Sequence, residues 1–81
     1  MEETIMANWK QKTVVKGGKE YPERIVDSDT LLGMMAQLHF ERQAGIEVTV
    51  DHEVDQYYRT VAYNIIRKCK NKTVTYRFEK V

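Results

Sequence analysis

An α+β fold in the element order ββαβαβ, with two helices packed on one face of a small antiparallel or mixed sheet, is what this sequence predicts. Three observations carry that expectation. Paired glycines, Gly17 and Gly18, stand between two alternating stretches. A cluster of capping residues at Asp27-Ser28-Asp29 opens an apolar-periodic stretch that Gly45 closes. Apolar residues then recur at helical spacing from Val54 to Cys69.

Residues 1–8 show no periodicity and contain a second Met, Met6, so they are expected to form a flexible N-terminal tail to a single domain at 9–81. From Trp9 to Val15, and again from Tyr21 to Val26, the chain alternates as a strand does, and two adjacent glycines supply the positive φ angles of a tight hairpin turn. Pro22 cannot donate to a ladder, which places the second strand at a sheet edge or a bulge.

The capping cluster and Gly45 bound a helix over residues 29–44. Leu31, Leu32, Met34, Met35, Leu38, His39 and Arg42 share one arc and form its expected core face, while Ala36, Phe40 and Ala44 lie opposite. Phe40 is thus an aromatic residue the core does not require. Ile46 to Val50 alternates cleanly and predicts a third strand, with Asp51 free to cap the next element.

Residues 53–69 set propensity against period. Tyr, Val, Thr and Ile favour strands, but Val54, Tyr57, Tyr58, Val61, Ala62, Ile65 and Cys69 share one helical arc, and a two-residue period leaves apolar groups on both faces. The spacing predicts a second helix here. Lys70-Asn71-Lys72 then turns the chain into a last strand at 73–81, with Val74, Tyr76 and Phe78 on one face.

With 81 residues, of which 42% are hydrophobic, the chain can build one thin core, so an ordering partner or a second copy is expected to support it. Cys69 is the one cysteine, which excludes an internal disulfide and a cysteine-based zinc site and suits a reducing, cytoplasmic setting. No run approaches the length of a membrane span, and the first residues carry acids where a signal peptide carries bases.

No complete catalytic set emerges, and the chain is expected not to be an enzyme. Ser28, the one serine, is accounted for by capping. Cys69, flanked by Lys68 and Lys70, has the surroundings of an activated thiol, but its helical phase turns it toward the core. Glu47, Asp51, His52, Glu53 and Asp55 crowd together, yet counting from Asp51 a calcium loop would need Gly and Glu where Gln56 and Ala62 stand. Lys16-Gly17-Gly18-Lys19 lacks phosphate-loop spacing. No metal and no cofactor is implied.

Charge is more informative, because the formal net charge of +1 conceals three blocks. Residues 1–19 carry two acids and four bases; residues 20–58 carry nine acids and two bases; residues 59–81 carry seven bases and one acid. On a helix over 53–69, Arg59, Tyr63, Arg67 and Lys70 would align opposite the apolar arc. Such a stripe can hold phosphates and stack on a base, or anchor on an acidic protein surface, whereas a plain solvated face would serve only the helix dipole. If the stripe is exposed, replacing Tyr63 or Arg67 by Ala leaves stability within about 0.5 kcal/mol.

The acidic middle block repels nucleic acid from much of the surface, which favours a protein partner. The expected function is that of a small non-catalytic regulatory or inhibitory protein that binds a protein partner through charged faces, also as a homodimer. A nucleic-acid-binding module is the alternative. Candidate binding residues are Phe40, Arg59, Tyr63, Arg67, Lys70, Lys72 and Arg77. The small size and absent signature suit an accessory protein of a phage or mobile element.

Overall fold

The computed structural model describes residues 8–15 and 19–81. The expected tail, apart from Asn8, and the Lys16-Gly17-Gly18 hairpin tip lie outside the described residues. The elements are β1 (Asn8–Val15), β2 (Lys19–Asp27), α1 (Ser28–Gln43), β3 (Glu47–Val54), β4 (Thr60–Cys69) and β5 (Lys72–Lys80). They form one five-stranded sheet in the order β2-β1-β5-β4-β3, antiparallel at every pairing.

The order is therefore ββαβββ, with one helix among the described residues, and the expected ββαβαβ arrangement with two helices on a sheet is corrected. Residues 53–69 are the end of β3, a turn, and β4. The cause lies in where β4 sits. It pairs with β3 on one side and β5 on the other, and each of its faces carries a buried apolar residue. Ile65 lies under the helix and Ala62 lies beneath neighbouring side chains on the opposite face. An interior strand with apolar groups on both faces loses its two-residue signature, and β-propensity decides the outcome.

β3 also runs longer than Ile46–Val50 suggested. Val48, Val50 and His52 continue one face, and Glu47, Thr49, Asp51 and Glu53 the other, so the alternation persists through the acids that resembled a helix cap. Pro22 sits in edge strand β2, where the β1 partners jump between Gln11 and Thr13, the bulge at which a residue without an N–H is accommodated.

α1 begins on an N-cap, Asp27, whose carboxylate accepts the Thr30 N–H at 2.8 Å. It ends where Gly45, at φ 100°, takes the left-handed conformation and donates to Arg42 C=O at 3.1 Å, while Ile46 donates to Glu41 C=O at 3.0 Å. The helix links the two edge strands, leaving β2 at one end of the sheet and entering β3 at the other. By register Asp27 lies level with Thr60 and Glu47 with Lys68, so the connection from β2 to β3 crosses the sheet diagonally, over four strand spacings and from one end of the strands to the other.

Trp9, Val26, Leu31, Leu38, Val48, Ile65 and Phe78 form the core under this diagonal, with Met34, Met35, Ile46, Tyr63 and Tyr76 packed against it. Phe78 and Ile65, on β5 and β4, are fully enclosed. Gln11 is buried but satisfied, accepting from Arg24 Nε and donating to Thr13 Oγ1, each at 3.0 Å. Leu32, expected on the core face, is exposed instead. No described helix is long and apolar enough to cross a membrane.

Candidate functional site

The charge blocks seen along the sequence neutralise each other in part, through three ion pairs. Arg59 Nε lies 3.1 Å from Asp55 Oδ2, Arg67 Nε 2.6 Å from Glu41 Oε1, and Arg77 Nη1 2.7 Å from Glu53 Oε2. Each pair joins a base of the C-terminal block to an acid of the middle block. The arginines hold all three carboxyls below the usual carboxylate range: through the Arg67 hydrogen bond at Glu41, the Arg77 hydrogen bond at Glu53, and, at Asp55, chiefly the main-chain N–H of Arg59.

The candidate binding residues accordingly scatter. Tyr63 and Arg67 lie on the helix-covered face of β4, Tyr63 with its ring 5.4 Å from Trp9. Arg77 lies on the opposite, open face, where it also bonds Asn64 Oδ1 at 2.7 Å and Glu79 Oε2 at 3.3 Å. Lys70 occupies the β4–β5 turn at φ 54°, and Lys72 opens β5; both are exposed. Arg59 is in the β3–β4 turn. Phe40 is 66% exposed on the outer face of α1. Ser28 accepts from Trp9 Nε1 at 3.3 Å, and Cys69 is a half-buried free thiol at the end of β4. His52 faces Tyr63, on the opposite side of β3 from Asp51 and Glu53, and no three His, Cys, Asp or Glu side chains among the described residues lie close enough together to hold a metal.

Two features emerge only in three dimensions. The first is the turn from Asp55 to Arg59. Asp55 Oδ1 accepts the N–H of Tyr57 at 2.8 Å and of Arg59 at 3.1 Å, while its main chain bonds Arg59 C=O at 2.9 Å and Tyr58 N–H at 3.0 Å. This single aspartate fixes the whole turn. What it presents is a Tyr57 ring 66% exposed with the Arg59 guanidinium 5.0 Å from its centre, and Tyr58 at 87% exposure. Tyr58 has φ 63°, a left-handed conformation that bulky side chains rarely adopt. Asp followed two and three residues later by Tyr, between alternating stretches, is the signal the sequence offers for it.

The second is the free edge of β3. Arg42 of α1 donates to Val48 C=O through Nε at 3.1 Å and Nη2 at 2.8 Å. That carbonyl points away from β4. Because main-chain direction alternates along an antiparallel strand, the N–H and C=O groups of Val50 and His52 point outward as well. Beside this edge, under the C-terminal half of α1, Met35, Leu38, His39, Arg42, Val48 and Val50 line a groove of about 280 Å³. The diagonal helix leaves a second hollow of about 380 Å³ at the other corner, among Gln11, Thr13, Tyr21, Pro22, Arg24 and Tyr76.

Compared with protein-family models, with curated proteins and with solved structures, the chain matches none.

Proposed function

We propose that this chain is a non-catalytic domain that binds a protein partner, with the Asp55–Arg59 turn as its principal contact. The observation that carries this is Tyr58. An aromatic side chain held in a left-handed conformation and almost wholly in solvent does nothing for the core, and strain of this kind collects where a surface is organised for contact. Tyr and Arg are the residues that dominate protein interfaces, and the turn presents two tyrosines and an arginine from a backbone that Asp55 holds in place.

Near the turn Asp51 has no ion pair among the described residues, and the charges of Arg59 and Arg77 are taken up by Asp55 and Glu53, which suits a partner with a basic rim better than a phosphate backbone. The test is retention of cellular proteins on the immobilised chain compared with Tyr58→Asn, since Asn tolerates the left-handed conformation and preserves the turn. Partners held by the wild type and lost by the variant support the reading. An unchanged set, or retained material that nuclease removes, sinks it.

The outer face of α1 supports a second contact, between two copies. From Thr30 to Phe40 its exposed positions carry no Asp, Glu, Lys or Arg, although 31% of the chain is charged. Leu32 and Phe40, exposed by 63% and 66%, lie equally far from Ala36, so two antiparallel copies related by a two-fold axis set each Leu32 on the other's Phe40. Sedimentation of the wild type against Phe40→Glu decides it: a dimer lost in the variant is the expected result, and a wild-type monomer at high concentration ends the idea.

A further inference from the structure

We infer that the free edge of β3 takes up an extended segment of a partner protein as an added strand, one in which apolar residues alternate with Lys or Arg. The inference rests on the protein-binding reading and specifies the chemistry of the partner.

The two edges of the sheet differ. β2 is interrupted by Pro22 and a bulge, devices that keep a strand from pairing further. β3 has eight residues and no proline, and Arg42 occupies only its first outward carbonyl, leaving Val50 and His52 with main-chain groups directed at solvent. A strand added there lies about 4.8 Å outside β3, and the side chains on one of its faces fall into the groove beneath α1. Met35, Leu38 and Val50 make that groove apolar, and the thioether of Met35 adapts to varied shapes.

The opposite face fixes the charge. Glu47, Asp51 and Glu53 line it along β3, and no Lys or Arg stands on this strand. Glu53 is held by Arg77, whereas Glu47 and Asp51 have no ion pair among the described residues. A neighbouring strand therefore gains from bases directly opposite them. A second copy of β3 fits badly, because two-fold pairing would set these acids against each other. Residues 1–7 of the chain fit no better, since they carry Glu2 and Glu3 and no Lys or Arg. The pattern that suits both faces is apolar toward the groove and basic toward Glu47 and Asp51.

The experiment follows main-chain amide exchange in the full chain by NMR, with a capped Lys-Val-Lys-Val-Arg-Val-Lys-Val peptide as probe. Saturating peptide is expected to slow exchange at Val50 and His52 by about tenfold or more and to leave Thr49 and Asp51, already bonded to β4, as they were. The same peptide N-methylated at every residue keeps its charge, has no amide donor and carries methyl groups on both edges, so it cannot form the ladder and should give no slowing. Asp51→Lys should weaken the unmodified peptide by about tenfold.

Unchanged exchange at Val50 and His52 with millimolar peptide overturns the inference, as does equal binding of the N-methylated form. Slowing that appears with rising chain concentration and no peptide overturns it in favour of a second copy. A captured partner that depends on Tyr58 yet leaves Val50 and His52 exchanging freely removes strand addition alone. Absence of any Tyr58-dependent partner removes the broader reading, and the peptide result is judged separately.

Discussion

Arg67 on β4 reaches up to Glu41 on α1, with Nε 2.6 Å from Oε1 and Nη2 3.3 Å from Oε2, a two-pronged pair that ties the helix to the sheet. Both side chains are about one-fifth exposed, so the pair is neither a screened surface contact nor a dry one. Arg67→Ala removes two charge-assisted hydrogen bonds and the stem that packs beneath the helix. A loss of about 1.5–3 kcal/mol in urea unfolding is expected, against the ~0.5 kcal/mol ceiling for an exposed stripe residue. A loss below that ceiling would show that the helix is held by apolar packing alone.

The same pair sets a pH dependence. The Arg67 hydrogen bond lowers the Glu41 carboxyl, and partial burial pushes the other way without prevailing. A carboxyl lowered on folding contributes stability that is complete above its unfolded pKa and is lost as pH falls through the folded value. Asp27, Glu53 and Asp55 are shifted in the same direction, so stability should decline from the ordinary carboxylate range downward. Glu41→Gln should be less stable near neutrality and show a shallower decline in acid. Parallel curves for the two proteins from pH 7 to about pH 2 would contradict the linkage.

Tyr63 provides an independent check on β4. Its ring is 5.4 Å from Trp9 and 6.5 Å from His52, half-buried at the end of the core that α1 does not fully cover. Tyr63→Ala should cost about 2 kcal/mol, less than a fully enclosed aromatic, and should shift the emission of the one tryptophan to longer wavelength as water reaches it. If the emission stays where it is, the Trp9–Tyr63 contact does not shield the indole.

Local signals located the hairpin strands, the helix at Ser28–Gln43 and the last strand because each had its own punctuation in the sequence: paired glycines between the first two strands, Asp27 and Gly45 at the helix ends, Pro22 at the edge, Lys70-Asn71-Lys72 before the last strand. The region from Asp51 to Cys69 had no glycine or proline to mark a turn. Asp51 serves as well for a cap as for the polar face of a strand, and the turn at Asp55–Arg59 contains neither glycine nor proline, its left-handed position being filled by Tyr58. The apolar arc over Val54–Cys69 arose because β4, an interior strand, carries apolar residues on both faces, Ile65 under the helix and Ala62 and Ile66 on the other side. The site followed the fold: Arg59, Tyr63, Arg67 and Lys70 looked like one stripe, but Arg59 turns to Asp55 within the β3–β4 turn, Arg67 reaches Glu41 of the helix, and Arg77, a further candidate, reaches Glu53 on the opposite face.

Two glycines should respond in opposite directions to alanine. At Gly33, in the middle of α1, an added Cβ meets nothing within 4 Å, so Gly33→Ala should raise stability by about 0.5–1 kcal/mol through helix propensity. At Gly45 the space is equally open but φ is 100°, and Gly45→Ala should lower stability by about 1 kcal/mol or more. Thermal melts of the two variants check this. Should Gly33→Ala destabilise, or disrupt a dimer that the wild type forms, the outer face of α1 is in contact with something that needs the missing methyl.

Tyr58 separates folding from binding most sharply. Its side chain touches little, and its backbone occupies the left-handed region at a cost of about 1 kcal/mol that Asn largely avoids. Tyr58→Asn should therefore leave unfolding stability unchanged or raise it by up to ~1 kcal/mol, with the Asp55 hydrogen bonds to Tyr57 and Arg59 preserved. Partner retention should fall in the same variant. A contact residue that destabilises its own fold has its benefit elsewhere, so a stabilised variant that binds less is the expected signature. If Tyr58→Asn instead unfolds more easily, the tyrosine supports the turn, and its exposure has no bearing on recognition.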